Sequence, residues 1–506
     1  MKKVVFLKNA AVLTATSLLL RFLGVIMKVW LAAQIGSEGI GLYQLIFSFF
    51  VLAATFATSG ICTAVTRLVA EESCIGTQNG ISKIMSRSFL LTVICAVVSF
   101  AAVFFGAAPI AKYIIHDMRA VPSLKIISFA LVFMGISSCI KGYFLARRKS
   151  LPPSTSQIFE HTVRIAAMMF LVKHFMPYGT QWACYGVFLA DVISEIVACV
   201  YLYFFYRHDK FYLRNLAGRA TPDYPICKKI LHISLPITSG RYINSILRTA
   251  ENTLVPAQLM LYGMSSSEAL SSFGMIKGMV LPLLFFPSSL LGAFSALLIP
   301  EISEARTRGY KKSISRMTAS ILRITSLVGF LFGAIFFVGG REIGVLVYKN
   351  AEVGELIRRL APIVPLMYLD SIADGMLKGM DQQAATFRYS VADSAMRIIL
   401  VMLLLKNGGM DSFLLIMYIS NLLTCLLNCS RLIVCTSVKP RIVRGIILPV
   451  LTAAAVGLTS QRLLSMFNMP NLLFVSVLTV ICTALYFSIL LLCGCMRISD
   501  LTLRGQ

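Results

Sequence analysis

Apolar stretches of about 20 residues or more, each ended by charge, Gly or Pro, recur along the whole chain. They fall near residues 9–34, 41–68, 88–108, 122–146, 155–176, 181–206, 230–256, 272–299, 317–340, 357–378, 386–406, 412–435, 445–464 and 471–496. A helix rises 1.5 Å per residue, so about 20 apolar residues cross roughly 30 Å of hydrocarbon. The pattern predicts an all-α polytopic membrane protein with about 14 transmembrane helices.

Composition agrees. Of 506 residues 57% are hydrophobic and only 14% charged, with a mean hydropathy of +0.80, which excludes a soluble domain or a single anchor. The net charge of +25 would suggest nucleic acid in a soluble chain. Here Lys and Arg crowd alternate loops by about three to one, as in Arg147-Arg148-Lys149 and the run from Arg207 to Lys229, so the charge reads as topology. An even number of spans then puts both termini on the cytoplasmic side. Arg21 and Lys28 interrupt the first apolar stretch, which reads as an uncleaved span. The thirteen Cys sit mostly alone in apolar runs, with no CxxC, so neither a metal nor a redox cofactor is expected.

Ten cations fall inside spans: Arg21, Lys28, Lys125, Lys141, Arg164, Arg241, Arg248, Lys277, Arg323 and Arg397. Each costs roughly 2.5–3.5 kcal/mol at mid-helix, which marks it as functional unless it snorkels from near a helix end. Lys125, Lys141 and Arg323 read as snorkellers. The others reveal an internal repeat: Lys8, Arg21 and Lys28 recur 220 positions on as Lys228, Arg241 and Arg248. Ser59 and Glu71 recur at 230 as Ser289 and Glu301, and Gly142, Glu160 and Arg164 at 233 as Gly375, Asp393 and Arg397. The chain therefore divides into lobes at 1–220 and 221–440, related as a parallel repeat, with two additional helices at 441–506.

In span 1, Thr14, Ser17, Arg21, Gly24 and Lys28 alternate spacings of three and four, which places them on one helix face. Ser234, Thr238, Arg241, Ser245, Arg248 and Asn252 repeat this in span 7, with Asn244 and Glu251 alongside. Nothing acidic precedes Glu38, so span 1 holds no carboxylate for Arg21 or Lys28, whereas Glu251 follows Arg248 by three. Two cationic stripes facing a central wet cavity are expected. Glu160–Arg164 and Asp393–Arg397, each four apart, read as intrahelical ion pairs; Asp191 and Glu195 share one face of span 6, and Asp370 and Asp374 one turn of span 10. These acids suit either ion coupling or structural pairing. Pro236, Pro256, Pro282, Pro287, Pro362 and Pro365 concentrate in spans 7, 8 and 10 and make the second half the more bendable one. There is no GxSxG, Walker loop or HExxH, and no loop long enough for a catalytic domain, so the chain does not read as an enzyme.

The segments FLKNAAVLTATSLLLRFLGVIMKVWLAAQIGSEGIGLYQ, TSGICTAVTRLVAEE, IKGYFLARRKSLPPSTSQIFEHTVRI, LLIPEISEA and DGMLKGMDQQAATFRYS resemble the oligosaccharide flippases of the multidrug/oligosaccharidyl-lipid/polysaccharide exporter superfamily, relatives of the peptidoglycan lipid II flippases. The resemblance implies two six-helix lobes in a V around a central cationic cavity, two C-terminal helices grooved for a polyprenyl tail, and alternating access in a bacterial cell membrane. The implied substrate is an undecaprenyl-pyrophosphate-linked saccharide, a peptidoglycan precursor serving the spore cortex in spore formers. Arg21 matches the first-helix cavity arginine of the lipid II flippases; their second-helix arginine has no deep counterpart, since only Arg67 near the cytoplasmic end is available. The chemistry fits, because a pyrophosphate cannot cross hydrocarbon without fixed cations, and Arg binds it bidentately where Lys acts as a point charge. Membrane lipids and cell-wall synthesis enzymes are the other expected partners. Three further readings stay open: a multidrug exporter, which would want acids where the stripes carry cations; a non-transporting scaffold for wall enzymes; and a membrane-embedded glycosyl polymerase, disfavoured by the absence of a long external loop.

Overall fold

The computed structural model describes residues 2–58, 60–75, 78–214, 225–289, 291–292, 305, 308–438, 443–466 and 469–493, and every regular element among them is helical. Ten helices are long and apolar enough to cross a membrane. Two of them, at 53 and 54 residues, far exceed the roughly 20 that one crossing needs. Each contains a break at a glycine: Gly36 with φ 70° inside Lys2–Thr58 (α1), and Gly409 with φ 53° inside Gln383–Thr436 (α13). Positive φ is open to glycine without a Cβ penalty, so the helix can be interrupted there.

The chain forms two compact units. The first takes in residues 1–27 and 34–271, the second 28–33 and 272–506. In the first, α1 is followed by α2 (Ile61–Ile75), α3 (Gln78–Pro109), α4 (Ala120–Ser128), α5 (Ala130–Ala146), α6 (Leu151–Phe175), α7 (Thr180–Arg214) and α8 (Ile226–Leu261). Its core joins Ala64, Val65 and Leu68 of α2 to Ile84 of α3, Ile140 and Tyr143 of α5, Leu202 of α7 and Ile230 of α8. In lipid, helices gain little from apolar burial alone, so close backbone approach matters more. Gly142 supplies it: a Cβ there would lie 2.7 Å from the Cys62 carbonyl oxygen, and the Thr66 hydroxyl donates to the Gly142 carbonyl at 3.1 Å. One end of α5 is tied to α7 by Asp209, which accepts from Tyr143 (2.8 Å), Lys149 (2.5 Å) and Arg147. Beyond α3, Arg119 bridges Asp117 and Glu38 at 2.7 Å each; hydrogen bonding to Asp117, with Glu38 behind it, pushes its guanidinium further toward the charged form.

The second unit contains most of Ser266–Ser289 (α9), then α10 (Lys311–Tyr348), α11 (Ala351–Leu360), α12 (Val364–Gly379), α13, α14 (Leu448–Ser465) and α15 (Asn471–Leu492). A π-helical turn at Met275–Val280 and prolines at 282 and 287 leave α9 short of regular backbone partners. Two buried tyrosine hydroxyls tie this stretch to α10 and α12: Tyr348 donates to the Met279 carbonyl at 2.9 Å and Tyr368 to the Leu284 carbonyl at 2.7 Å. Pro362 and Pro365 open the 3₁₀ turn and α12, where proline is tolerated. Asn350 caps α11 by accepting from the backbone N–H of Glu352 and Val353. Helices α14 and α15 present Leu451, Leu458, Leu472, Leu473 and Val480 outward, as lipid-facing helices do.

Candidate functional site

The cationic stripe of span 7 lies on α8. Arg241 and Arg248, two turns apart, are both exposed, and Asn244 between them is half-buried. The remaining stripe residues turn toward the first unit: Ser234, Ser245 and Glu251 are buried, while Asn252 donates to the Ser48 hydroxyl at 2.9 Å and Thr249 to the Ser48 carbonyl at 3.2 Å. Lys229, at the start of α8, pairs with Glu71 of α2 at 3.0 Å. One helix face thus divides into a packed seam and an open pair of guanidiniums. The Arg21 side chain lies outside the described residues. Lys28 is half-buried on α1.

Six of the acids named from the sequence form two groups, a buried one in the first unit and a partly exposed one in the second. In the first, Arg164 of α6 reaches Glu160 on its own helix at 2.8 Å and, on α7, Asp191 at 3.0 Å and Glu195 at 3.6 Å. Its Nε also donates to Ser194 at 3.3 Å. The spacing of four accounts for the first contact; the other two need α6 and α7 to lie side by side. Lys141 of α5 completes the cluster at 3.8 Å from Glu160, with only 23% of its side chain exposed. The snorkelling expectation for Lys141 is therefore corrected: an acid within reach inside the unit outweighs extension to a distant interface. Tyr43 of α1 and His161 of α6 lie close enough to act electrostatically on this group.

In the second unit Arg397 pairs with Asp393 on α13 at 3.3 Å, and Ser420 donates to Asp393 at 2.6 Å. Asp370 of α12 accepts from Asn428 at 2.8 Å, and Asp374, half-exposed, pairs with Lys378 at 2.5 Å. Ser420 and Asn428 carried no charge and no motif, so the sequence offered no reason to single them out. Among the described residues no group of three or more His, Cys, Asp or Glu is arranged to hold a metal ion.

Solved structures share this multi-pass helical fold. The chain superposes on a lipid II flippase, MurJ, in an inward closed conformation with TM-score 0.69, covering 94% of this chain and 96% of that one at 14% identity. It also superposes on an inward-facing MATE multidrug transporter of the MOP superfamily with TM-score 0.63, covering 82% and 94% at 12% identity. The chain belongs to the polysaccharide biosynthesis protein family, whose model matches residues 6–304. It is similar to stage V sporulation protein B of Bacillus subtilis, 27% identical over 80% of this chain and 78% of that one. It is also similar to the lipid II flippase MurJ of the same organism, 23% identical over 82% and 81%.

Proposed function

We propose that this protein is a flippase that moves an undecaprenyl-pyrophosphate-linked saccharide from the inner to the outer leaflet, breaking no bond. The observation that carries the reading is the exposed Arg241 and Arg248 pair on α8, a helix of a membrane bundle. Cations kept there at the usual cost of intramembrane charge suit an anionic cargo and disfavour an organic cation. Arg21, the repeat equivalent of Arg241, joins it in gripping the pyrophosphate, with Asn244 beside Arg241 shaping the headgroup site; Glu251, buried, and Asn252, bonded to Ser48, belong to the packed seam instead. The names of the relatives support a peptidoglycan precursor, and sporulation proteins among them favour the spore cortex. The reading also includes fourteen crossings, two six-helix repeats at 1–220 and 221–440, cytoplasmic termini, and α14 and α15 receiving the lipid tail. Asp370, Asp374, Asp393 and Arg397 serve ion coupling or structural pairing in the second repeat.

The test is flipping of a labelled undecaprenyl-pyrophosphate saccharide in vesicles reconstituted with the purified protein. Losing one charged hydrogen bond costs roughly 1.5–3 kcal/mol, about 10- to 150-fold in binding. Arg241→Ala and Arg21→Ala should each impair flipping on that scale at normal abundance, and Lys should rescue only in part because it lacks the fork. Full activity in the double Ala variant would remove the reading; a protein that exports organic cations instead, or flips nothing while wall enzymes still co-purify with it, would replace it.

A further inference from the structure

The cluster around Arg164 does not balance. Glu160, Asp191 and Glu195, each less than a tenth exposed, share two cations, Arg164 and Lys141. With every group ionised the cluster carries one net negative charge, screened from water by α1, α5, α6 and α7. A second and independent observation lies in the hydrogen bonding. Asp191 offers Oδ1 to Arg164, but its Oδ2 is fully buried and accepts no hydrogen bond. Neighbouring Ser194 cannot serve it, because that hydroxyl donates to the Asp191 backbone carbonyl at 2.8 Å. A buried carboxylate oxygen without a donor loses its hydration for nothing, and a charge in excess of its partners is commonly removed by neutralisation.

We propose that the first unit carries a proton-binding site at Asp191, with the proton on the orphaned Oδ2. One proton taken from solvent brings the cluster from a net charge of minus one to zero, leaves the Oδ1 contact to Arg164 in place, and removes the cost of an ionised oxygen held without a donor. The groups around it are Tyr43 from α1, Glu160 and Arg164 from α6, and Ser194 and Glu195 from α7, with Lys141 from α5 and His161 from α6 on the far side against Glu160. A metal cation would instead demand several converging oxygen ligands, and a single orphaned oxygen does not provide them. If release of this proton alternates with cargo binding, the site couples turnover to the proton gradient. That coupling rests on the flippase reading; the site itself does not.

The experiment is infrared difference spectroscopy of the full-length protein in lipid nanodiscs, titrated with acid and alkali in potassium buffer. A protonated carboxylic acid carbonyl band present at neutral pH is expected, absent from Asp191→Asn and retained in Asp370→Asn. No such band in the unsubstituted protein, which needs no variant to fold, would overturn the site. Persistence of the whole band in Asp191→Asn would place the proton elsewhere and overturn the assignment. Flipping is read separately: an Asp191→Asn protein that lacks the band yet flips with unchanged pH dependence keeps the site and removes the coupling.

Discussion

At a displacement of 233 residues Glu160 and Arg164 become Asp393 and Arg397, while Asp191 becomes Thr424, Glu195 becomes Asn428 and Lys141 becomes Asp374. The two units thus share an acid–arginine pair one turn apart and differ in what surrounds it. In the first unit the neighbouring helix α7 contributes two further acids, and Arg164 touches all three carboxylates. In the second the corresponding stretch of α13 contributes a hydroxyl and an amide, and the extra acids stand on α12, where Asn428 and Lys378 meet them. The pair can be kept by local spacing alone, because i and i+4 face each other on any helix. Its surroundings depend on which helices pack together, and there the two units differ.

The largest effect expected follows from that difference. Arg164→Ala leaves buried carboxylates around an absent guanidinium, and breaking a buried network in this way costs about 3–5 kcal/mol. Arg397→Ala leaves Asp393 still hydrogen-bonded by Ser420, so a cost nearer that of one charged hydrogen bond, about 1.5–3 kcal/mol, is expected. Thermal unfolding of both variants in the same detergent measures the gap, and equal losses would mean that the acids on α7 add nothing to the role of Arg164.

Swapping the pairs sharpens the same contrast. Glu160→Arg with Arg164→Glu keeps the intrahelical pair but sets a carboxylate beside Asp191 and Glu195, where Arg164 stood 3.0 and 3.6 Å away. This double variant should lose most flipping activity. Asp393→Arg with Arg397→Asp brings no acid to a second acid on a neighbouring stretch of α13 and should keep much more. Comparable activity in both swaps would show that the pairs act in isolation.

Converting one surrounding into the other is the next test. Asn428→Glu would place a second carboxylate against Asp370, which lies 2.8 Å from the Asn428 amide. Losing that hydrogen bond and adding like charge should lower stability by about 1–3 kcal/mol, read in the same unfolding assay. A neutral outcome would imply that water already reaches Asp370.

These contrasts also mark how far the sequence could be read. Apolar runs disclosed the helical membrane fold because hydrocarbon tolerates little else, and spacing of four disclosed both acid–arginine pairs. The partnership of Arg164 with α7 was not legible, since nothing along the chain states that α6 and α7 adjoin. Lys141 was misread because a lone lysine near a helix end has the same appearance whether it snorkels or pairs. The uncharged residues Ser420 and Asn428 left no mark at all. Span 7 shows another limit: its cations match those of span 1 at a displacement of 220, yet α8 packs within the first unit, so matching spacing in sequence does not fix packing.

The smallest effects should come from ion pairs outside the buried clusters, and they test whether burial is the variable that separates them. Lys229 and Glu71 meet at 3.0 Å with side chains 38% and 40% exposed, and Arg67 approaches the same carboxylate at 2.9 Å. Arg359 and Asp411 meet at 2.5 Å, closer than any contact Arg164 makes, with side chains 45% and 76% exposed. Distance alone would rank the Arg359 pair above the network. Solvent screening reverses the order, because an exposed pair gains little Coulomb energy and pays in side-chain freedom, leaving about 0.2–1 kcal/mol. Lys229→Met should fall within that range, Arg359→Met at or below its lower end, and both should shrink further as salt is raised, whereas the cost of Arg164→Ala should hardly change with salt. A salt-insensitive loss in Arg359→Met as large as that of Arg164→Ala would show that proximity rather than burial sets the strength of these pairs.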